Sequence, residues 1–166
     1  YSATIEISGP SFVLESQEEQ EQIVANWGSI LARFSREGSV ISRVQWIERT
    51  LPEDSKAMHD YFDTTAHVEV GNQITDAYLE LIDSASPVTT KHRTYLVIQI
   101  SQLKSAKQIK QAGGGEGGAC EVLLRELQNT LSLIPSAGFN VLGVLDGNEM
   151  IKFIRTSFDP TADVSN

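Results

Sequence analysis

At 166 residues, 40% of them hydrophobic and 21% charged, the chain has the composition of one globular domain able to bury a sizeable core. Thirteen basic residues against 22 acidic ones leave a net charge of −9. That balance excludes a protein that coats nucleic-acid backbone, which needs clustered lysine and arginine to displace counterions, so no direct nucleic-acid partner is expected.

Taken in chain order, Ala3-Thr-Ile-Glu-Ile-Ser8 alternates apolar and polar residues and predicts a short strand stopped by Gly9-Pro10. Phe12-Val-Leu14 is expected to continue that pairing or to cover a sheet edge. Ser16 followed three residues later by Glu19 is a capping box, and the acidic run Glu15–Glu21 suits the positive end of a helix. Ile23, Trp27, Ile30, Leu31 and Phe34 then share one helical face, and Gly38 is expected to end the helix.

Val40–Thr50 predicts a long strand. Val40, Val44 and Trp46 point one way, while Ile41 and Ile47 share the other face with Arg43, Gln45 and Arg49. Leu51-Pro52 breaks it, and a helical period runs through Met58, Tyr61, Phe62 and Ala66, then Val70, Ile74, Ala77, Tyr78, Leu81 and Ile82. Thr94–Ser101 has the nearly continuous apolar run of a central strand. A second helix is expected through Cys120, Leu123, Leu124, Leu127, Leu131 and Ile134, with a stop at Gly138. Phe139–Leu145 is the last strand, and Asp146 caps a short final helix through Met150, Phe153 and Ile154. Residues 159–166 form a polar, flexible tail.

The order fits a doubly wound parallel sheet or a ferredoxin-like β-α-β-β-α-β sheet. Only about four strands are visible, and Val40–Thr50 has one amphipathic face, as a sheet with one open side requires. The expectation is therefore α+β: a ferredoxin-like antiparallel sheet of about four strands, a helical insertion between strands 2 and 3, and an extra C-terminal helix, in a single domain over 1–158. The chain begins at Tyr1 and reads as strand by Ala3, so a fragment of a longer protein is expected. No apolar run here reaches the ~18 residues of a membrane span.

Five of the 12 glycines fall in Ala112-Gly-Gly-Gly-Glu-Gly-Gly-Ala-Cys120. A glycine cluster opening a helix can cradle phosphate, with Lys107, Lys110, Gly113, Gly114, Gly115, Gly117 and Gly118 as the ligand loop and Lys104 nearby. Yet no lysine or hydroxyl follows Gly117-Gly118, and Glu116 sets a carboxylate where phosphate would want a cation. The segment reads instead as a flexible, exposed connector. Cys120 falls on the expected apolar face and reads as a buried cysteine rather than a nucleophile. As the only cysteine it permits no intramolecular disulfide and no multi-cysteine metal site. His59, His67 and His92 lack zinc spacing, so no metal and no cofactor is expected. Asp60, Asp63, Asp76, Asp83 and the Glu15–Glu21 group have the spacing of solvated helix faces. Arg43, Arg49 and Arg93, with Lys91 and His92, form a basic minority around the second and third strands, and Trp46 is a candidate interface anchor.

Four stretches carry a family resemblance: Trp27-Gly28, Val44-Gln-Trp-Ile-Glu-Arg-Thr-Leu-Pro52, Leu81-Ile-Asp-Ser-Ala-Ser-Pro-Val88 leading to His92, and Gly113–Leu124 with Arg125-Glu126. Together they resemble an actinobacterial family of integral membrane proteins encoded beside PrgI-like proteins in conjugative, type IV secretion-like loci. The resemblance spans roughly Ile5 to Phe158. It implies a parent in the plasma membrane whose cytoplasmic portion is similar in layout to the N-terminal region of conjugative secretion ATPases. It implies no catalytic residue, since the landmarks are tryptophan, arginine, proline and glycine. The functional expectation is a non-catalytic cytoplasmic interaction domain with Arg43, Trp46 and Arg49 as contacts. Its expected partners are other secretion-apparatus subunits, the parent's own membrane segments, or further copies in a homo-oligomer. The alternative is a nucleotide- or phosphate-ligand domain using the glycine loop.

Overall fold

The computed structural model describes residues 1–52 and 90–160, together with Ala77 and Glu80. The helical insertion expected over 53–84 lies outside the described residues except for Ala77 and Glu80, which are helical. His59, His67 and the four aspartates between 60 and 83 lie outside them as well.

In chain order the elements are β1 (Ser2–Ser8), a 3-10 turn (Phe12–Leu14), α1 (Gln17–Phe34), β2 (Ile41–Pro52) and β3 (Thr90–Ile100). There follow α2 (Ala106–Gln111), α3 (Gly115–Leu133), a second 3-10 turn (Ile134–Ala137), β4 (Asn140–Val144) and α4 (Gly147–Phe158). The four strands make one sheet in the order β2-β3-β1-β4. β1 runs antiparallel to β3, from Ser2 opposite Gln99 to Ile7 opposite Thr94, and antiparallel to β4 with an irregularity between Glu6 and Ile7. This is the ferredoxin-like arrangement: the opening strand of each β-α-β half takes a central place, and α4 is the extra C-terminal helix.

Alternation explains which face is buried. The register sets Ile5 opposite Leu96 and Ala3 opposite Ile98, so these side chains share the face on which the helices lie. Ile5, Ile7, Leu96, Ile98, Leu127 and Ile134 form the main cluster, with Trp27, Val44, Leu123, Leu131, Phe139 and Val141 packed around it. Burial of each large aliphatic side chain contributes about 1.5–3 kcal/mol. A second cluster joins Val40, Ile100, Ile109, Ala119 and Val122, and ties α2 and α3 to the sheet.

The caps follow the sequence. Ser16 Oγ accepts from the Glu19 amide, and the Glu19 carboxylate accepts from the Ser16 amide at 3.0 Å, which closes the box that starts α1. Asp146 and Glu149 make the same reciprocal pair at 2.8 Å each way before α4. α1 ends at Phe34 with Ser35 as its C-cap, and Gly38, at φ +84°, turns the chain into β2.

Packing divides the chain into two compact units, Tyr1–Glu48 with Arg93–Met150, and Arg49–His92 with Ile151–Asn166. Both core clusters belong to the first. In the second, the Arg49 guanidinium donates to the Phe153 carbonyl at 3.0 Å and to Thr156 Oγ1 at 2.9 Å, and lies 4.7 Å from the centre of the Phe153 ring.

Two packing expectations are corrected. Phe12–Leu14 neither continues β1 nor covers a sheet edge: it is a 3-10 turn whose Val13 and Leu14 are 87% and 84% exposed. Cys120 is exposed rather than buried. The buried side of α3 runs through Gly118, Ala119, Val122, Leu127 and Thr130, which rotates Cys120 and Leu124 outward.

Candidate interaction surface

Three aromatic side chains meet in the first unit. Trp27 comes from the sheet-facing side of α1, Trp46 from the Val44 face of β2, and Phe139 from the turn before β4. The ring centres lie 5.3 Å apart for Trp27–Trp46, 5.7 Å for Trp27–Phe139 and 5.5 Å for Trp46–Phe139. All three pairs are edge-to-face, with planes inclined by 74°, 62° and 72°. That geometry sets the positive edge of one ring against the negative face of the next, worth about 0.5–1.5 kcal/mol per pair beyond area burial.

Glycines make room for the cluster. Gly138, at φ +82°, reverses the chain after the 3-10 turn and delivers Phe139 to it. A Cβ on Gly9 would stand 2.8 Å from Phe139 Cε1, so the chain needs glycine there. Trp27 and Phe139 are half-buried, while Trp46 keeps 41% of its surface exposed. The result is a rigid, partly exposed indole braced by two rings beneath an edge strand of the sheet. Trp46 was legible in the sequence as an anchor. Phe139 was read only as the first residue of a strand, although its place after the Gly138 stop marks where a side chain can turn inward.

The basic residues do not join Trp46. Arg43 is three positions away on β2 and therefore on the opposite face; it is exposed and pairs with no carboxylate among the described residues. Arg49 spends its guanidinium on Phe153 and Thr156 within its own unit, which makes it an internal tie for α4 rather than a free contact. Arg93 lies 3.5 Å from Glu6. Burial works against its charge, but contact with Tyr95 and the Glu6 carboxylate outweigh it and hold the guanidinium above its ordinary pKa. His92 Nδ1 lies 3.2 Å from Thr50 Oγ1, and Lys91 is exposed.

The glycine run is exposed at Gly113, Gly115, Glu116 and Gly117, as expected, but it forms a tight helix–helix turn and the first turn of α3 rather than a loose connector. Gly113, Gly114 and Gly115 hold φ of +97°, +75° and +60°, which side-chain-bearing residues rarely adopt. Gly117 and Gly118 are already inside α3. The Gly113 amide donates to Lys110, Gly114 to Ile109 and Gly118 to Gly114, so these groups are engaged within the chain. Gly118 is buried, and a Cβ there would meet the Ile109 carbonyl oxygen at 2.6 Å. Glycine is needed at 118 for the close approach of α2 and α3. Lys107 and Lys110 are exposed on α2. Among the described residues no group of histidine, cysteine or carboxylate side chains could hold a metal.

The exposed 3-10 turn is a second feature the sequence reading missed. The Phe12 carbonyl accepts from Gln20 Nε2 at 2.9 Å, the same amide donates to the Glu15 carbonyl at 3.0 Å, and Leu14 N bonds Ser11 O at 2.7 Å. Val13 and Leu14 are thus displayed on a backbone fixed to α1. No helix among the described residues is long and apolar enough to cross a membrane. No protein-family model matches this chain, and comparisons with curated proteins and with solved structures return no match.

Proposed function

We propose that this chain is a non-catalytic interaction domain of a membrane-associated component of a type IV secretion- or conjugation-like apparatus. It sits on the cytoplasmic side of the plasma membrane and engages sister subunits, the parent's membrane segments or further copies of itself. The observation that carries the recognition role is Trp46, a braced and 41% exposed indole. Aromatic side chains that offer large area at little entropic cost dominate binding at protein interfaces. Trp27 and Trp46 are also two of the landmarks on which the secretion-family resemblance rests.

Trp46→Ala removes the exposed ring while leaving both core clusters in place. In a pull-down with neighbouring subunits of the apparatus, the variant is expected to bind at least about tenfold more weakly, as loss of a hot spot implies. Unchanged binding to every such subunit, to the parent's membrane-proximal segments and to itself would remove the proposal. Arg49→Ala is expected to lower stability, and to affect binding only to the extent that the second unit loosens.

A further inference from the structure

An open cleft of about 600 Å³ lies in the first unit, bounded by the C-terminal turn of α1, the opening of the edge strand β2, and α2 with the residues before it. Its size is within the range of small-molecule sites. Arg36, Arg43 and Lys104 line it, and among the described residues no carboxylate does. None of the three pairs with an acidic side chain among those residues. In a chain of net charge −9 these three cations gather positive charge at one depression, while Glu37 and Glu126 line the adjoining cleft that shares Arg36 and Gln108.

One polar group adds direction. Ser39 Oγ accepts from the Ile41 amide at 3.3 Å, which leaves its O–H to donate into the cleft it lines. Gln108 lines the cleft too, and its Oε1 is buried with no hydrogen-bond partner. Being buried, that oxygen is closed to a ligand in the cleft, and Gln108 serves there as part of the wall. The frame around these groups is fixed. Ser105, fully buried, donates from Oγ to the Val40 carbonyl at 3.3 Å and accepts from Ile109 N through its carbonyl, which ties α2 to the start of β2.

We propose that this cleft binds a small organic phosphate. The phosphate sits among Arg36, Arg43 and Lys104, whose guanidinium forks and ammonium match its oxygens and its double negative charge. The apolar part of the ligand lies against Leu31 and Phe34 on the α1 wall. The site uses Lys104 but none of the glycines, so it is distinct from a glycine-loop cradle, and it is independent of the recognition role of Trp46.

The test is an amide-resolved NMR titration of the chain with inorganic phosphate, adenosine monophosphate, adenosine and polyglutamate. Inorganic phosphate and the monophosphate are expected to bind saturably and to shift amides at 35–43 and 104–108, with adenosine alone doing neither. Arg43→Glu is expected to weaken both by at least about tenfold, as loss of a charge-assisted contact implies, and Lys104→Glu repeats that arm if the first variant is not folded. Lys107→Glu, outside the cleft, and Trp46→Ala leave binding unchanged. The proposal is overturned if neither phosphate binds saturably, if both folded charge reversals bind like the parent, or if Lys107→Glu loses as much as they do. It is also overturned if polyglutamate occupies the cleft and neither phosphate displaces it, which would mark an acidic polypeptide as the occupant.

Discussion

Glu19 shows how much a single side chain does at a helix start. Its carboxylate accepts from the Ser16 hydroxyl at 2.6 Å and from the Ser16 amide at 3.0 Å. The hydroxyl contact first, and the backbone contact second, hold its pKa below the ordinary carboxylate value. A carboxyl depressed in the folded state stabilises the fold above the unfolded value, and that stabilisation is lost as pH falls through the folded value. Glu19→Gln is therefore expected to melt earlier than the parent at neutral pH, with the gap closing in acid. A gap that stays constant through the carboxylate range contradicts this. Gly118 and Gly117 form a second residue-level contrast. A Cβ at 118 meets backbone oxygens of Ile109 and Ala112 at 2.6 and 3.0 Å, whereas at 117 nothing lies within 4 Å. By denaturant unfolding, Gly118→Ala should lose about 1–3 kcal/mol through overpacking, and Gly117→Ala should gain up to about 1 kcal/mol of helix propensity.

At the scale of elements, the parts legible in the sequence were those set by local rules. The Ser16–Glu19 and Asp146–Glu149 pairs needed only spacing, and both form. Alternation in Ala3–Ser8 and the continuous run of Tyr95–Ile100 needed only the period of a strand, and these became the two central strands. What was not legible depended on how closely elements approach. The glycine run looked like a loop because composition does not reveal that Gly118 faces the Ile109 carbonyl. The expected face of α3 holds at Leu123, Leu127, Leu131 and Ile134, and was misjudged at Cys120 and Leu124 for the same reason. Size and hydrophobicity favoured Cys120 and Leu124, but the closest contact is made by Gly118, Ala119 and Thr130, small residues that let the helix sit down. Cys120 should accordingly react stoichiometrically with a maleimide in the native state, without denaturant. Protection until global unfolding would show that α3 is rotated from the face described.

At the scale of the whole molecule, charge and aromatic exposure point to recognition by distinct parts of one surface. The net charge of −9 disfavours polyanions in general, while Arg36, Arg43 and Lys104 gather at one cleft. On the other face of β2 from Arg43, Trp46 stands on Trp27 and Phe139. The basic residues expected to act with it are otherwise engaged or face elsewhere, so the recognition account rests on the indole. That dependence identifies the decisive measurement. A photo-crosslinking amino acid placed at position 46, and separately at exposed Glu18 as a control, is expressed in the full-length parent within its native locus. The account predicts a crosslink from position 46 to a subunit of the same apparatus or to a second copy, and none of that pattern from position 18. No crosslink from 46, or the same products from both positions, contradicts it.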